Sequence, residues 1–314
     1  NVGARLGMQF GADLRYKHLG KLSDIVPAPG RYDERIVNCQ SLTWMDDAQR
    51  IDVPDLAAQT GKRVDEVLTT ILDELDTRPA ERILGTGVSH LPYALDGGTG
   101  QRLKVREELH KLAMSEQGYI FEKGTATGMA LAFQERGART ADTTTHLSFD
   151  DDMARRGLVM TGSRDDVYRT VQVIVHPTTV DATATTVLFS LETSDTLVAA
   201  GATVDTLVGP YRDPNTNDAV GGVSMVAPVA TTDYLINAQV DGLGADLTAD
   251  FTVAATYTGQ GVRYSITNTG GTDGYITFLQ ARGKGVYRSD AVVERTVAGS
   301  YGDCNTLYII SCCN

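Results

Sequence analysis

The sequence is poor in several residues that mark particular classes of protein. It contains one Trp in 314 residues, and its five His residues occur singly, so the His-x-x-x-His and His-Glu-x-x-His spacings of metal enzymes are absent. It also lacks a run of 18 apolar residues and the basic-then-apolar layout of a secretory signal. The chain begins at Asn1 without a Met, which indicates either processing or a longer polypeptide.

Positive charge is also scarce. Lys and Arg number 28 against 40 Asp and Glu, which gives a net charge of −12. Such a surface repels nucleic acid phosphates. If DNA contacts this protein, we therefore expect it to pass by without being bound. The shares of hydrophobic residues, 42%, and charged residues, 22%, are those of ordinary folded proteins. At this length the chain is expected to form two or three domains.

Cysteine is rare and unevenly placed. Cys304, Cys312 and Cys313 fall in the last eleven residues, whereas Cys39 stands alone. This distribution does not indicate a disulfide framework, although one or two bridges in the C-terminal tail remain open. The adjacent pair Cys312 and Cys313 lacks the spacer of a zinc knuckle. Cys39 lies in a predicted strand, where we expect it to be buried and inert.

Helical periodicity is confined to the segment between residues 61 and 117. Apolar residues recur at offsets 0, 3, 4, 7, 8 and 11 from Val64 to Leu75, which predicts a helix with one buried stripe. A second helix is predicted over 103–117, with Gly118 as its left-handed C-cap. The alternating segments 119–121 and 129–133 then predict a hairpin.

The rest of the chain has the pattern of β-structure. Near the N-terminus we predict strands at 13–17, 22–26 and 35–39, with 27–30 (PAPG) as a breaker. Beyond residue 145, segments rich in Val, Thr, Tyr and Ile predict strands at 168–176, 186–191, 252–258, 262–267 and 275–281. Turn clusters at 213–218 and 268–272 separate strands as in a sandwich.

The loop 213–218 is the best candidate for a metal site. Asp213, Asn215, Asn217 and Asp218 offer oxygen ligands of the kind that calcium prefers. The loop lacks the Glu at the twelfth position of an EF-hand, and Pro and Asn are also favoured in turns. Both a calcium site and a plain turn therefore remain open.

No catalytic pattern is present. Ser89 stands beside His90 but outside a Gly-x-Ser-x-Gly elbow. The densest run of carboxylates is 150–152, where adjacent side chains splay apart and favour a solvated turn over an acid/base pair. The glycine pairs at 242–244 and 283–285 lack the strand–loop–helix context of nucleotide binding and predict turns or bulges. We therefore predict a non-enzymatic protein without a cofactor.

Several short segments occur in an order that is typical of one family. They are 19–25 (LGKLSDI), 27–32 (PAPGRY), 36–37 (IV), 42–45 (LTWM), 115–121 (SEQGYIF), 131–136 (LAFQER), 167–171 (VYRTV), 233–237 (DYLIN), 241–248 (DGLGADLT), 266–269 (ITNT) and 279–283 (LQARG). With the helix at 63–75, they resemble the hub-type minor tail proteins of the baseplate or tail tip of long-tailed bacteriophages, over most of 13–297. The chain departs from the family in three places. Family members often have Asn at the position of Arg169, the strands expected before residue 13 are short or absent, and residues 300–314 match no part of the family pattern.

The resemblance implies a mainly β fold with an α+β portion: tail-hub-like β-barrel modules with two helices, followed by a β-sandwich-like distal region. The expected modules are a partial first β-barrel (1–56), a helix and hairpin segment (57–141), a second β module (142–192, completed by about 272–297), the distal region (193–271) and a Cys-containing tail (298–314). It also implies a virion protein that forms a homotrimer or another cyclic ring around the DNA exit channel and contacts other tail and baseplate proteins.

Two other functions remain open on the sequence. Sandwiches with loops rich in Thr, Asn and Asp often hold glycans, so the chain is alternatively a glycan-binding or host-adhesion protein with Tyr211 and Tyr234 stacked on a sugar. An acidic glycosidase is the third hypothesis. Three observations distinguish these hypotheses. A tail protein forms a defined oligomer, a glycan-binding protein can bind glycan as a monomer, and a glycosidase loses turnover when one carboxylate is removed.

Overall fold

The computed structural model describes residues 3–10, 13–29, 35–95, 103–141, 143, 168–192, 196–288, 292–297 and 305–313. Within these residues the chain is mainly β, as the sequence predicts. Two helices of eleven residues each lie in the first half of the chain. The side chains form two separate cores, one in the helical region and one in the distal β-region.

The N-terminal region is an antiparallel three-stranded sheet. Its strands, in the order β1-β2-β3, are β1 (Gly3–Phe10), β2 (Asp13–Pro29) and β3 (Arg35–Leu42). The prediction of two strands ended by a breaker at 27–30 was wrong, because β2 is one strand that includes Pro27 and Pro29. β1 pairs only with 13–21, so the later part of β2 has β3 as its only described neighbour. Proline is tolerated in a strand that has an unpaired edge, because its nitrogen can face that edge.

The helical module follows. Its elements are α1 (Trp44–Ala48), β4 (Gln59–Arg63), α2 (Val64–Glu74), β5 (Glu81–Leu84), β6 (His90–Ala94), α3 (Val105–Ser115), β7 (Tyr119–Gly124), β8 (Met129–Gln134) and α4 (Ala138–Ala141). β8 lies between β5, to which it is parallel, and β7, to which it is antiparallel. β4 pairs with β6. The predicted helices and hairpin are thus confirmed.

The core of this module forms where the apolar stripes of the two helices meet the inner face of β8. Val67, Leu68 and Ile71 of α2 are fully buried, as the period predicts, and so is Leu109 of α3. Residues 44–56, which the sequence assigns to the first module, also contribute side chains to this core. The module therefore begins near Trp44, directly after β3.

The C-terminus of α3 differs in one detail from the prediction. The residue with a left-handed backbone is Gln117, at φ 58°, and not Gly118. The N–H of Gln117 donates to the carbonyl of Met114, and the N–H of Gly118 donates to that of Ala113, which is a Schellman arrangement. Gly118 is needed for another reason, because a Cβ there would lie 2.5 Å from the carbonyl oxygen of Gln134.

The second half of the chain is built from strands. They are β9 (Tyr168–His176), β10 (Thr178–Val180), β11 (Thr186–Glu192), β12 (Leu197–Val198), β13 (Thr203–Pro210), β14 (Gly221–Val223), β15 (Tyr234–Asn237), β16 (Phe251–Tyr257), β17 (Gly261–Asn268), β18 (Gly274–Arg288), β19 (Val292–Val297) and β20 (Asn305–Cys313). A single turn of 3-10 helix, Thr248–Asp250, precedes β16. β19 and β20 pair with β9, antiparallel and parallel respectively.

The long strand β18 organises the distal module. β10, β11 and β12 pair with one edge of β18, and β14 and β15 pair with the other edge. A second sheet has the order β13-β17-β16. Leu188, Ile276 and Leu279 of the first sheet share a core with Tyr264 and Ile266 of the second. β18 therefore joins segments that lie far apart in the sequence.

Two glycines of β18 contradict the prediction of a turn at 283–285. Gly283 pairs with Thr186, and Gly285 pairs with Gly222, so both lie inside the strand. A Cβ on Gly283 would collide with the sulfur of Met225. Gly in β-structure marks either a bend of the strand or a place where another group packs closely against it. These two glycines permit close packing. The other predicted glycine turn, 242–244, is confirmed by the left-handed backbone of Gly242.

A buried ion pair connects β18 to the start of β15. The carboxylate of Asp233 accepts hydrogen bonds from Nε of Arg282 at 2.5 Å and from Nη2 at 2.7 Å. It also accepts from the N–H of Val229 and from the side-chain amide of Gln280. Burial opposes the charge of Asp233, but these donors outweigh it and hold the pKa of the carboxyl below its ordinary value.

Asp181 is a second carboxylate that joins two parts of the same sheet. It accepts from the hydroxyls of Thr186 and Tyr287 and from the N–H of Gly285. Burial opposes its charge, yet the hydrogen bonds lower its pKa. Burial, together with this carboxylate, raises the pKa of Tyr287 to about 12.

The lowered pKa values of Asp181 and Asp233 predict loss of stability in acid. A carboxyl whose folded pKa lies below its unfolded value, about 4, stabilises the fold above that pH. The contribution is lost as the pH falls through the folded pKa. We expect the urea midpoint of unfolding to stay level from pH 7 to about pH 5 and to fall steadily below about pH 4. In Asp181→Asn the urea midpoint should decrease less as the pH is lowered. A midpoint that rose on acidification would contradict the prediction.

Candidate functional site

The candidate calcium loop is a hydrogen-bonded turn. An oxygen of the Asp213 carboxylate accepts the N–H of Asn215 at 2.8 Å, and Asn217 has a left-handed backbone at φ 61°. Asp218 donates its N–H to the hydroxyl of Thr216. These bonds are those of an Asx-type turn. Within the described part of the chain, no group of three or more His, Cys, Asp or Glu residues is placed to hold a metal ion. Calcium at Asp213, Asn215, Asn217 and Asp218 stays a prediction.

The segment around Ser89 and His90 has a structural explanation. Glu116, at the end of α3, is fully buried. One of its carboxylate oxygens accepts the N–H of Val88 at 2.7 Å, and both oxygens lie within 3.2 Å of the N–H of Ser89. The carboxylate thereby fixes the chain before β6. The carboxylate run 150–152 lies outside the described residues.

The predicted sugar-stacking tyrosines are in the core. Tyr211 is 1% exposed and Tyr234 is 7% exposed, so neither presents a ring to solvent, and this part of the prediction was wrong. Among the described residues, the hydroxyls of Tyr211 and Tyr264 lack a hydrogen-bond partner. Burial raises the pKa of both phenols above the ordinary value. The sequence favoured exposure because both residues stand next to polar turns.

The loop that connects β15 to the 3-10 helix is held in one conformation by Asn237. Its side-chain amide donates to the carbonyls of Gly242 and Gly244, and its side-chain oxygen accepts the N–H of Gln239. Asp241 adds an Asx turn by accepting the N–H of Leu243 at 3.0 Å. The loop is therefore ordered by its own polar side chains.

This loop carries an apolar side chain into solvent. Leu243, at its tip, is 83% exposed. Val240 of the same loop and Leu235 of the preceding strand are also exposed. A single exposed apolar residue is ordinary on a protein surface. Three on one strand and its adjoining ordered loop make this part of the distal module a candidate contact surface.

A groove of about 640 Å³ lies where the helical module meets the distal module. Its floor includes the exposed side of the β13-β17-β16 sheet, where Arg263 stands opposite Val208 on one neighbour and Thr256 on the other. Asp55 lies on the wall contributed by the helical module. The N–H of Gly259, in the turn between β16 and β17, donates to the carbonyl of Leu56 at 2.9 Å and joins the two modules there.

Among the described residues that line this groove, positive charge exceeds negative charge, because two arginines stand against one carboxylate, that of Asp55. Arg212 and Arg263 both line it, and within the part of the chain that the structure describes neither guanidinium forms an ion pair. Arg212 donates one long hydrogen bond, 3.4 Å, to the carbonyl of Asn217. The amide of Gln260 and the hydroxyl of Thr256 add polar groups, and Val208 and Pro210 add apolar surface.

Sequence reasoning found neither feature. Arg212 and Arg263 are separated by about fifty residues and line one groove only because β13 pairs with β17, for which no local signal exists. Leu243 did have a signal. A large apolar residue between two glycines in a polar turn has no core to enter, although the two glycines by themselves predict only a turn.

Comparisons with protein-family models, with curated proteins and with solved structures found no match to this chain. Among the described residues, no helix has both the length and the apolar character needed to span a membrane.

Proposed function

We propose that this protein is a structural component of the tail tip or baseplate of a long-tailed bacteriophage. In this proposal, copies of the chain form a closed ring, a homotrimer or another cyclic oligomer, around the channel through which DNA leaves the virion. The function lies in contacts between subunits and with neighbouring tail proteins, and DNA only passes through. The two sheets of the distal module act as a β-sandwich, and the N-terminal sheets contribute to barrel modules.

The exposed apolar surface of the distal module is the observation that carries this proposal. Leu243 is held out in water by an ordered loop, together with Leu235 and Val240. Water-exposed apolar surface of this kind is costly unless another protein covers it. A second copy of the chain is the occupant that a ring supplies, since each subunit in a ring presents one surface to the next.

Two further features support an assembly role. The resemblance to tail hub proteins supports it: segment 115–121 spans the end of α3 and the start of β7, and segment 131–136 spans the end of β8 and the residues after it. β16 and β13 are the outer strands of their sheet and have one described neighbour each. Unpaired strand edges are surfaces that another subunit can extend or cover.

The mass and symmetry of the purified protein test the proposal. Light scattering across a range of concentrations, followed by negative-stain microscopy, is expected to give one closed oligomer with a central opening wide enough for duplex DNA. A protein that stays monomeric at high concentration, alone and with its neighbouring tail proteins, would overturn the proposal.

A further inference from the structure

The arginines of the intermodule groove are unusual for this chain. The protein carries an excess of acidic residues, with a net charge of −12, yet the described lining of this groove holds two guanidinium groups and only one carboxylate, that of Asp55. Arginines in such a position are suited to bind an anion from outside the chain. A guanidinium donates two parallel hydrogen bonds to a carboxylate, which gives geometric selectivity as well as charge.

The remaining lining narrows the class of anion. Thr256 and Gln260 supply a hydroxyl and an amide, and Val208 and Pro210 supply small apolar faces. Sugar rings present the matching combination of hydroxyl groups and C–H faces. The volume is within the range of about 300–1,000 Å³ that is usual for small-molecule sites. Tyr211 is the one aromatic residue among the described residues that line the groove, and it is 1% exposed. A nucleobase would therefore find no exposed ring on which to stack.

We propose that this groove binds a carboxylated saccharide of more than one sugar unit, with Arg212 and Arg263 each on a carboxylate and with Thr256 and Gln260 on the ring hydroxyls. The hydrogen bond from Gly259 to Leu56 joins the two modules beside the groove. The site gives the protein a means of recognising acidic glycans, such as those of a bacterial surface. It does not depend on the subunit contacts of the ring.

The test is a calorimetric titration of the full chain with a short oligogalacturonate and, in parallel, with the neutral galactose oligosaccharide of the same length. We expect the uronate to bind and the neutral sugar to bind at least tenfold more weakly. Arg263→Gln and Arg212→Gln should each weaken uronate binding at least tenfold. Both side chains are exposed, so neither substitution should disturb the fold, which circular dichroism checks.

Arg136→Gln is the matched control. Arg136 follows β8 in the helical module, and its substitution removes the same charge. It should leave uronate binding unchanged. Equal binding of the uronate to the wild-type chain and to the Arg212→Gln, Arg263→Gln double variant, or no binding at all, would overturn the proposal. Inorganic phosphate that competed as strongly as the uronate would show a general anion site and would also overturn the assignment to a saccharide.

Discussion

Replacing Asp233 with Ala is expected to lower the free energy of unfolding of the distal module by about 3–5 kcal/mol, the usual effect of breaking a buried ion pair. The carboxylate is 2% exposed and accepts hydrogen bonds from Arg282, Val229 and Gln280. Its removal leaves the guanidinium of Arg282, itself only 23% exposed, without its anionic partner. β15 then loses a connection to the central strand of its sheet.

A surface ion pair of similar length provides the control. Asp73 lies 2.6 Å from Arg82, but its side chain is 53% exposed. Asp73→Ala should therefore cost no more than about 1 kcal/mol, since solvent screens such pairs. Urea unfolding followed by far-UV circular dichroism measures both variants, and hydrogen exchange of β15 and β18 locates the change. Equal effects of the two substitutions would mean that Asp233 and Arg282 do not hold these strands together.

The parts of the fold that the sequence predicted are those determined by neighbours along the chain. The apolar stripe of α2 follows from the spacing of Val64, Val67 and Leu68, because a helix brings residues three and four apart to one face. The hairpin of β7 and β8 requires only a short turn. In the same way the strand boundaries of β9, β16 and β17 were predicted to within one or two residues.

The parts that were missed depend on partners distant in the sequence. Gly283 and Gly285 indicated a turn, but the strand continues because their neighbours are Thr186 and Gly222, far earlier in the chain. Pro27 indicated a break, but β2 continues through it in a part of the strand that has β3 as its only described neighbour, where proline is tolerated. The intermodule groove is a further case, because its residues come from β13, β16, β17 and a loop of the helical module. Local propensity cannot specify such a surface.

Replacing Leu243 with Asp is expected to convert the proposed ring into free subunits. Burying a Leu side chain contributes about 1.5–3 kcal/mol to an interface. A carboxylate in its place must in addition lose its hydration. Each subunit contact should therefore weaken on the order of a hundredfold. The fold should be unaffected, because Leu243 is 83% exposed and the loop is held by Asn237 and Asp241.

Met114→Asp is the matched control for this experiment. Met114 is 67% exposed on α3, in the helical module. Light scattering at equal concentration should show the mass of a single subunit for Leu243→Asp and the mass of the intact ring for Met114→Asp. A ring that survived the first substitution and dissociated on the second would place the subunit contact on the helical module. In that case the Leu243 loop would not be a subunit contact, and its exposed apolar side chain would be an ordinary feature of the surface.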